Sequence, residues 1–285
     1  MATAISVRQL AVTFGGRGRQ PGVAALRAID LEVPAGRILG VLGPNGSGKT
    51  TLLRVLAGQQ APSAGRVEVL GEAAGARGLR RRVGWQPEGA LPLGVLSARE
   101  FLAWFGAELG LANRDADARA QHWLTRLDLL HTGKRWLRTF STGMQKRLAL
   151  AAVLLADPEV LLLDEPTSGL DPFGSEAVMQ ILRERAAAGA TVLMASHHLL
   201  EVEQICDEVI VLQDGELKLR GRLADLLATS DAHAVVVRGL DERGLAGVAA
   251  AARAGGGDVV RIERPRDHLF ALFRRLAGGN RPEQR

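Results

Sequence analysis

The segment Gly43-Pro44-Asn45-Gly46-Ser47-Gly48-Lys49-Thr50 decides how this chain folds. It follows the apolar run Ile38-Leu39-Gly40-Val41-Leu42 and leads into Leu52-Leu53-Arg54-Val55-Leu56-Ala57. That order predicts a strand, a glycine-rich loop and a helix, the context in which G-x-x-x-x-G-K-[ST] binds phosphate. The glycines let backbone N–H groups turn inward onto phosphate oxygens, and the helix start adds the positive end of its dipole. Lys49 supplies a point charge for the outer phosphates, and Thr50 offers a hydroxyl to Mg²⁺. A nucleoside triphosphate is the expected ligand.

Working outward, two more apolar runs match the first. Val160–Leu163 and Thr191–Ala195 are nearly continuous, as buried parallel strands require. Helix-like stretches between them give a β-α-β rhythm. The first run ends in Asp164-Glu165, two acids that a parallel sheet turns toward the crevice holding the phosphate loop. Asp164 is expected to hold Mg²⁺ and Glu165 to polarise a water aimed at the γ-phosphate. The second run ends in Ser196-His197. His197 reaches the γ-phosphate and the attacking water if its strand neighbours that of Asp164.

Around this centre the pattern changes. The segment from Ile5 to Phe14 and the stretch Ile29–Val33 alternate, which suits antiparallel strands with one wet face. A mainly helical insertion spans 88–156; Ser97 and Glu100 form an S-x-x-E capping box ahead of Phe101, Leu102, Phe105 and Leu109 at helical spacing. That apolar face either packs within the insertion or, with Leu91, Leu93, Val95 and Leu96, receives a partner. Val209–Leu212, the turn Asp214-Gly215 and Leu217–Leu219 read as a hairpin. After Gly221 the strand-like Val235–Val237 and Val259–Ile262 and the amphipathic residues Leu269, Phe270, Phe273 and Leu276 suggest a small α+β appendage, with Gly255-Gly256-Gly257 as a loop inside it.

Bulk properties narrow the function class. The chain has 285 residues, 47% of them apolar and 24% charged, so a large folded domain with an appendage is expected rather than disorder. The net charge of +5 carries no compact basic block or aromatic-interleaved stripe, and no nucleic-acid partner is expected. Cys206 is the single cysteine, which excludes an intramolecular disulfide framework and a Cys-rich metal site and fits a reducing cytoplasm. The first residues lack the pattern of a secretory signal, and the run Leu148–Ala156 is about half of what a bilayer span needs. The chain is not expected to cross a membrane by itself.

These motifs resemble, in order from Ile5 to about Arg222, those of an ATP-binding-cassette (ABC) ATPase, the nucleotide-binding subunit of bacterial multicomponent exporters. Phe140-Ser141-Thr142-Gly143-Met144-Gln145-Lys146-Arg147 resembles the family signature, with Thr142 where glycine is commonest and Met144 where glutamine is commonest. Ser168-Gly169-Leu170-Asp171 resembles the D-loop, and His197 the switch histidine. Val83-Gly84-Trp85-Gln86-Pro87-Glu88 resembles the Q-loop, with Glu88 where glutamine normally sits and Gln86 two residues too early. The resemblance implies an α/β fold, a P-loop NTPase of the ABC ATPase type with an antiparallel β subdomain, the helical insertion and a small C-terminal α+β appendage. The implied domains are 1–221 and 222–285.

It further implies that ATP and Mg²⁺ bind through Gly43, Pro44, Asn45, Gly46, Ser47, Gly48, Lys49, Thr50 and Thr51. Phe14 stacks on adenine, for which a ring without the commoner tyrosine hydroxyl is enough. Thr50, Asp164 and Glu88 serve the metal; Glu165, His197 and Lys49 serve catalysis. Ser141 and Gly143 of one subunit touch the ATP held by its partner, as homodimer or paired cassette. Integral membrane permease subunits are the implied partners, at the cytoplasmic face of the cell membrane. Competing readings are a soluble mechanochemical ABC ATPase, disfavoured by one cassette and no sustained heptads between Lys49 and Asp164, and a non-hydrolysing ATP-binding module, disfavoured by Glu165 and His197.

Overall fold

The computed structural model describes residues 2–15, 22–89, 91–228 and 241–257, together with Gly239 and Val259. The chain divides into two compact units, Met1–Ala228 and Thr229–Arg285. The first unit is α/β and holds two sheets of different construction.

The antiparallel sheet contains β1 (Thr3–Phe14), β2 (Val23–Pro34), β4 (Ala64–Val69) and β5 (Glu72–Ala73), in the order β2-β1-β4-β5. Alternation buries Ile5, Val7, Leu10 and Val12 on one face of β1. β2 starts six residues before the alternating stretch Ile29–Val33. Register shifts in its pairing with β1, and positive φ at Gln9 (48°) and Ala28 (49°), mark bulges that break the two-residue period. Sequence alternation therefore shows only the half of β2 beyond the bulge.

The second sheet contains β3 (Ile38–Leu42), β6 (Val83–Gln86), β7 (Val160–Asp164), β8 (Thr191–Ala195), β9 (Glu208–Gln213) and β10 (Glu216–Arg222). Its order is β10-β9-β3-β8-β7-β6, parallel throughout except for β10. Every residue of β7 and β8 is buried, because both faces of the sheet are covered. Leu161, Leu163, Val192 and Met194 join one core; Val160, Leu162, Leu193 and Ala195 join the other. The hairpin β9–β10 turns at Asp214-Gly215, both with positive φ, as a tight I′ turn demands.

On the first face lie the helices α2 (Ala98–Glu108), α3 (Asn113–Arg126) and α4 (Thr142–Leu154), then α5 (Pro172–Ala187) and α6 (Leu199–Ile205). The opposite core unites α1 (Lys49–Leu56) with the antiparallel sheet. The capping box forms: Ser97 accepts from the Glu100 N–H, and Glu100 accepts from the Ser97 N–H at 2.8 Å. Phe101 and Leu102 are buried in the core, whereas Leu93, Val95 and Trp104 remain exposed.

A short helix α7 (Leu223–Leu227) ends the first unit. The second unit shows α8 (Glu242–Ala254), capped by Asp241, followed by a turn at Gly255-Gly256. The strand expected at Val235–Val237, most of Val259–Ile262 and the amphipathic residues Leu269 to Leu276 lie outside the described residues.

Candidate nucleotide site

The phosphate loop bridges β3 and α1, and its shape depends on residues without side chains. A Cβ on Gly43 (φ 148°) would meet the Leu212 carbonyl at 2.1 Å; one on Gly48 (φ 105°) would meet the Ala25 carbonyl at 2.6 Å. Both positions need glycine for conformation and for space. Gly48 is also the N-cap of α1 and, having no side chain, makes no cap bond to the helix's first amides. Those donors are left for an anion. Pro44, Asn45 and Gly46 form the exposed tip, while Ser47 and Lys49 are buried. The Lys49 ammonium folds back over the loop, donating to the carbonyls of Gly43 at 2.7 Å and Pro44 at 3.0 Å. Thr50 and Thr51 follow in the first turn of α1.

Strand order brings three loops to one edge. β8 lies between β3 and β7, so the phosphate loop, the segment after Ala195 and Asp164-Glu165 follow neighbouring parallel strands. Asp164 is 1% exposed, and Thr50 hydrogen-bonds its carboxylate. Burial pushes the Asp164 carboxyl above its usual range; the Thr50 bond opposes this, and the nearby charges of Glu88 and Glu165 add to it. Glu88 itself is exposed, but its charge reaches Asp164 and Lys146.

Glu165 leaves β7 with φ 51°, the left-handed region that residues with a Cβ rarely adopt. Its amide donates to the Ala195 carbonyl at 2.9 Å. This kink places Glu165 Oε2 2.9 Å from His197 Nδ1. The pair lacks the alignment of a hydrogen bond, so the buried Oε2 has no hydrogen-bond partner among the described residues. Ser47 Oγ, Asp164 Oδ2 and Gln86 Oε1 are likewise buried without partners. Three of these four orphaned oxygens belong to the phosphate loop and the acidic strand end. Oxygen-rich, partly anionic and unsatisfied, they fit a hard cation bound with phosphate.

Phe14 ends β1 with 40% of its surface exposed. It pairs with Val23, and two and three residues further along β2, Ala25 and Leu26 lie against Gly48. The aromatic thus stands at the end of the antiparallel sheet nearest the phosphate loop. Ser141 caps α4 by accepting from the Met144 N–H at 3.3 Å. A Cβ on Gly143 would meet the Gly169 carbonyl at 3.0 Å, so the signature and D-loop segments touch within one chain. Among the described residues no hydrogen bond joins Ser141 or Gly143 to the phosphate loop.

Three contacts had no sequence signal. Lys146, 6% exposed, reaches from α4 to the Glu165 carbonyl, and burial lowers its pKa against the raising effect of Glu88, Glu165 and Asp164. Thr167 donates to Glu201, tying the D-loop segment to α6. His198 stacks beside His197, ring centroids 4.1 Å apart. In the sequence Lys146 stands between Gln145 and Arg147, and nothing there marks it as the buried one of the three. Gln86 is buried and donates weakly to the Lys146 carbonyl at 3.4 Å.

Comparison with known proteins agrees with this arrangement. Residues 26–168 match the ABC transporter family. An uncharacterized ABC transporter ATP-binding protein of Synechocystis is 40% identical over 225 residues, 78% of this chain and 64% of the relative; the chain thus spans under two thirds of that protein. The daunorubicin resistance ATP-binding protein DrrA3 of Streptomyces coeruleorubidus is 41% identical over 241 residues, 83% of this chain and 76% of the relative. A solved ATP-binding subunit of an ABC transporter superposes with a TM-score of 0.69 at 27% identity, covering 78% of this chain and 91% of that one. With strand order, phosphate loop and acidic strand end all in place, the chain belongs to the ABC transporter family, among its ATP-binding proteins.

Proposed function

We propose that this chain hydrolyses ATP to drive transport; among its described residues no helix is long and apolar enough to cross a membrane. Separate permease subunits form the path, and the cassette works at the cytoplasmic face of the cell membrane. Outward transport is supported by the likeness to a protein named for daunorubicin resistance. The observation that carries the reading is the convergence of Lys49, Asp164, Glu165 and His197 at adjacent strand ends.

In this reading Lys49 and the loop amides of Gly43 to Thr51 neutralise phosphate charge, and Phe14 stacks on the base. Thr50 and Asp164, with Glu88 close by, would hold Mg²⁺, which supplies charge stabilisation to the phosphoryl oxygens. Glu165 accepts the proton of the attacking water, and His197 positions that water and the γ-phosphate. The buried Glu165 Oε2, which accepts no hydrogen bond among the described residues, suits a base left open to a water's proton. Two cassettes close head to tail, with Ser141 and Gly143 of a second copy completing each site. Catalysis is then mostly positioning and electrostatics.

The test is Glu165→Gln. It should retain Mg·ATP, lose hydrolysis by about 10²-fold or more and accumulate dimers on size exclusion with ATP. Wild-type turnover in the variant would remove Glu165 as the base.

A further inference from the structure

The turn after β8 brings together two imidazoles and one carboxylate. Adjacent side chains on a strand point to opposite faces, but here the strand has ended. His198 caps α6 with φ −88° and ψ 88°, and its amide donates to Ser196 Oγ at 3.0 Å. The bend lays the His198 ring over that of His197, with centroids 4.1 Å apart. Glu165 approaches from β7, and one potential ligand atom from each residue lies within 4.8 Å of the others.

Glu165 is 7% exposed, and among the described residues its Oε2 has no hydrogen-bond partner although His197 Nδ1 is 2.9 Å away. Two close atoms that do not bond each other can share a third. A carboxylate and two imidazoles form a donor set suited to Zn²⁺, Co²⁺ or Ni²⁺, whereas Mg²⁺ prefers oxygen ligands. With ligand bonds of about 2.0–2.2 Å, tetrahedral donors stand roughly 3.3–3.6 Å apart, so a set already within 4.8 Å needs only a modest adjustment of the rings. Both histidines are exposed, so their rings are free to swing inward about χ1 and χ2.

We propose that Glu165, His197 and His198 form a binding site for a transition-metal ion of the Zn²⁺ class, and that occupancy blocks hydrolysis. The block rests on the roles proposed above for Glu165 and His197: an ion held there occupies the base's free oxygen and holds the imidazole away from phosphate. The binding itself rests on the three side chains alone. His198 is the specific component, because nothing in the hydrolytic reading uses it.

Titration of the nucleotide-free, Mg²⁺-free full chain with Co²⁺, followed by its visible absorption, tests binding. Imidazole-coordinated Co²⁺ bands should appear in the wild type, and His198→Ala should weaken binding at least about tenfold. Glu165→Gln, a second variant of similar shape, should weaken it as well. In Mg·ATP turnover, His198→Ala should keep basal activity but resist inhibition by added Zn²⁺. Equal Co²⁺ affinity in wild type and His198→Ala would overturn the site. Equal Zn²⁺ sensitivity of turnover would overturn the block. His198-dependent Co²⁺ binding in a chain without ATPase activity would uphold the site while refuting the hydrolytic reading.

Discussion

Cys206 is buried, and its sulfur packs against Gly40 of β3. Burial, with a smaller contribution from Asp207, pushes its thiol from 9.0 up to about 12. The unfolded chain therefore ionises this thiol first. Its contribution to stability is complete below about pH 9 and is lost as pH climbs toward 12. Cys206→Ala should flatten the alkaline loss of stability in urea melts across that window, and the folded wild type should react slowly with a thiol reagent at pH 8. Prompt reaction in the folded state would contradict the burial. Lys49, Asp164, Glu165 and His197 were legible because phosphate chemistry demands particular residue types at short, fixed spacing from a strand. Lys146 and His198 were not, because their meaning lies in contacts that sequence distance hides: Lys146 reaches Glu165 only once α4 packs against β7.

At the scale of elements, the insertion depends on how α2 begins. Ser97 and Glu100 satisfy each other's amides, and those bonds hold the Glu100 carboxyl below its usual range, the Ser97 hydroxyl contributing most and the Ser97 N–H next. Ser97→Ala removes the cap just before the buried Phe101 and Leu102. It should lower the thermal midpoint by about 2–4 °C, measured by circular dichroism, with little change in ATP affinity. An unchanged midpoint would show that packing alone starts this helix. Parallel strands were readable as continuous apolar runs, since both sheet faces are buried. β2 was only half readable, because the bulge at Ala28 breaks the alternation on which the reading depends.

At the scale of the molecule, the compact unit ends at Ala228, after β10 and α7 have closed the parallel sheet. Both cores and every residue proposed for the nucleotide lie within it. A chain of residues 1–228 should therefore fold and bind Mg·ATP with an affinity within about threefold of the full chain, measured by calorimetry. Loss of folding would show that the remainder is needed for the first unit's stability. By itself the sequence determined the phosphate loop, the acidic strand end and the β-α-β order, because glycine geometry, charge and hydrophobic period are local properties. Only the tertiary structure decided that β8 lies between β3 and β7, that Glu165 meets His197, and that buried oxygens there lack partners. Strand order and side-chain convergence arise from packing between distant segments, and no local pattern encodes them.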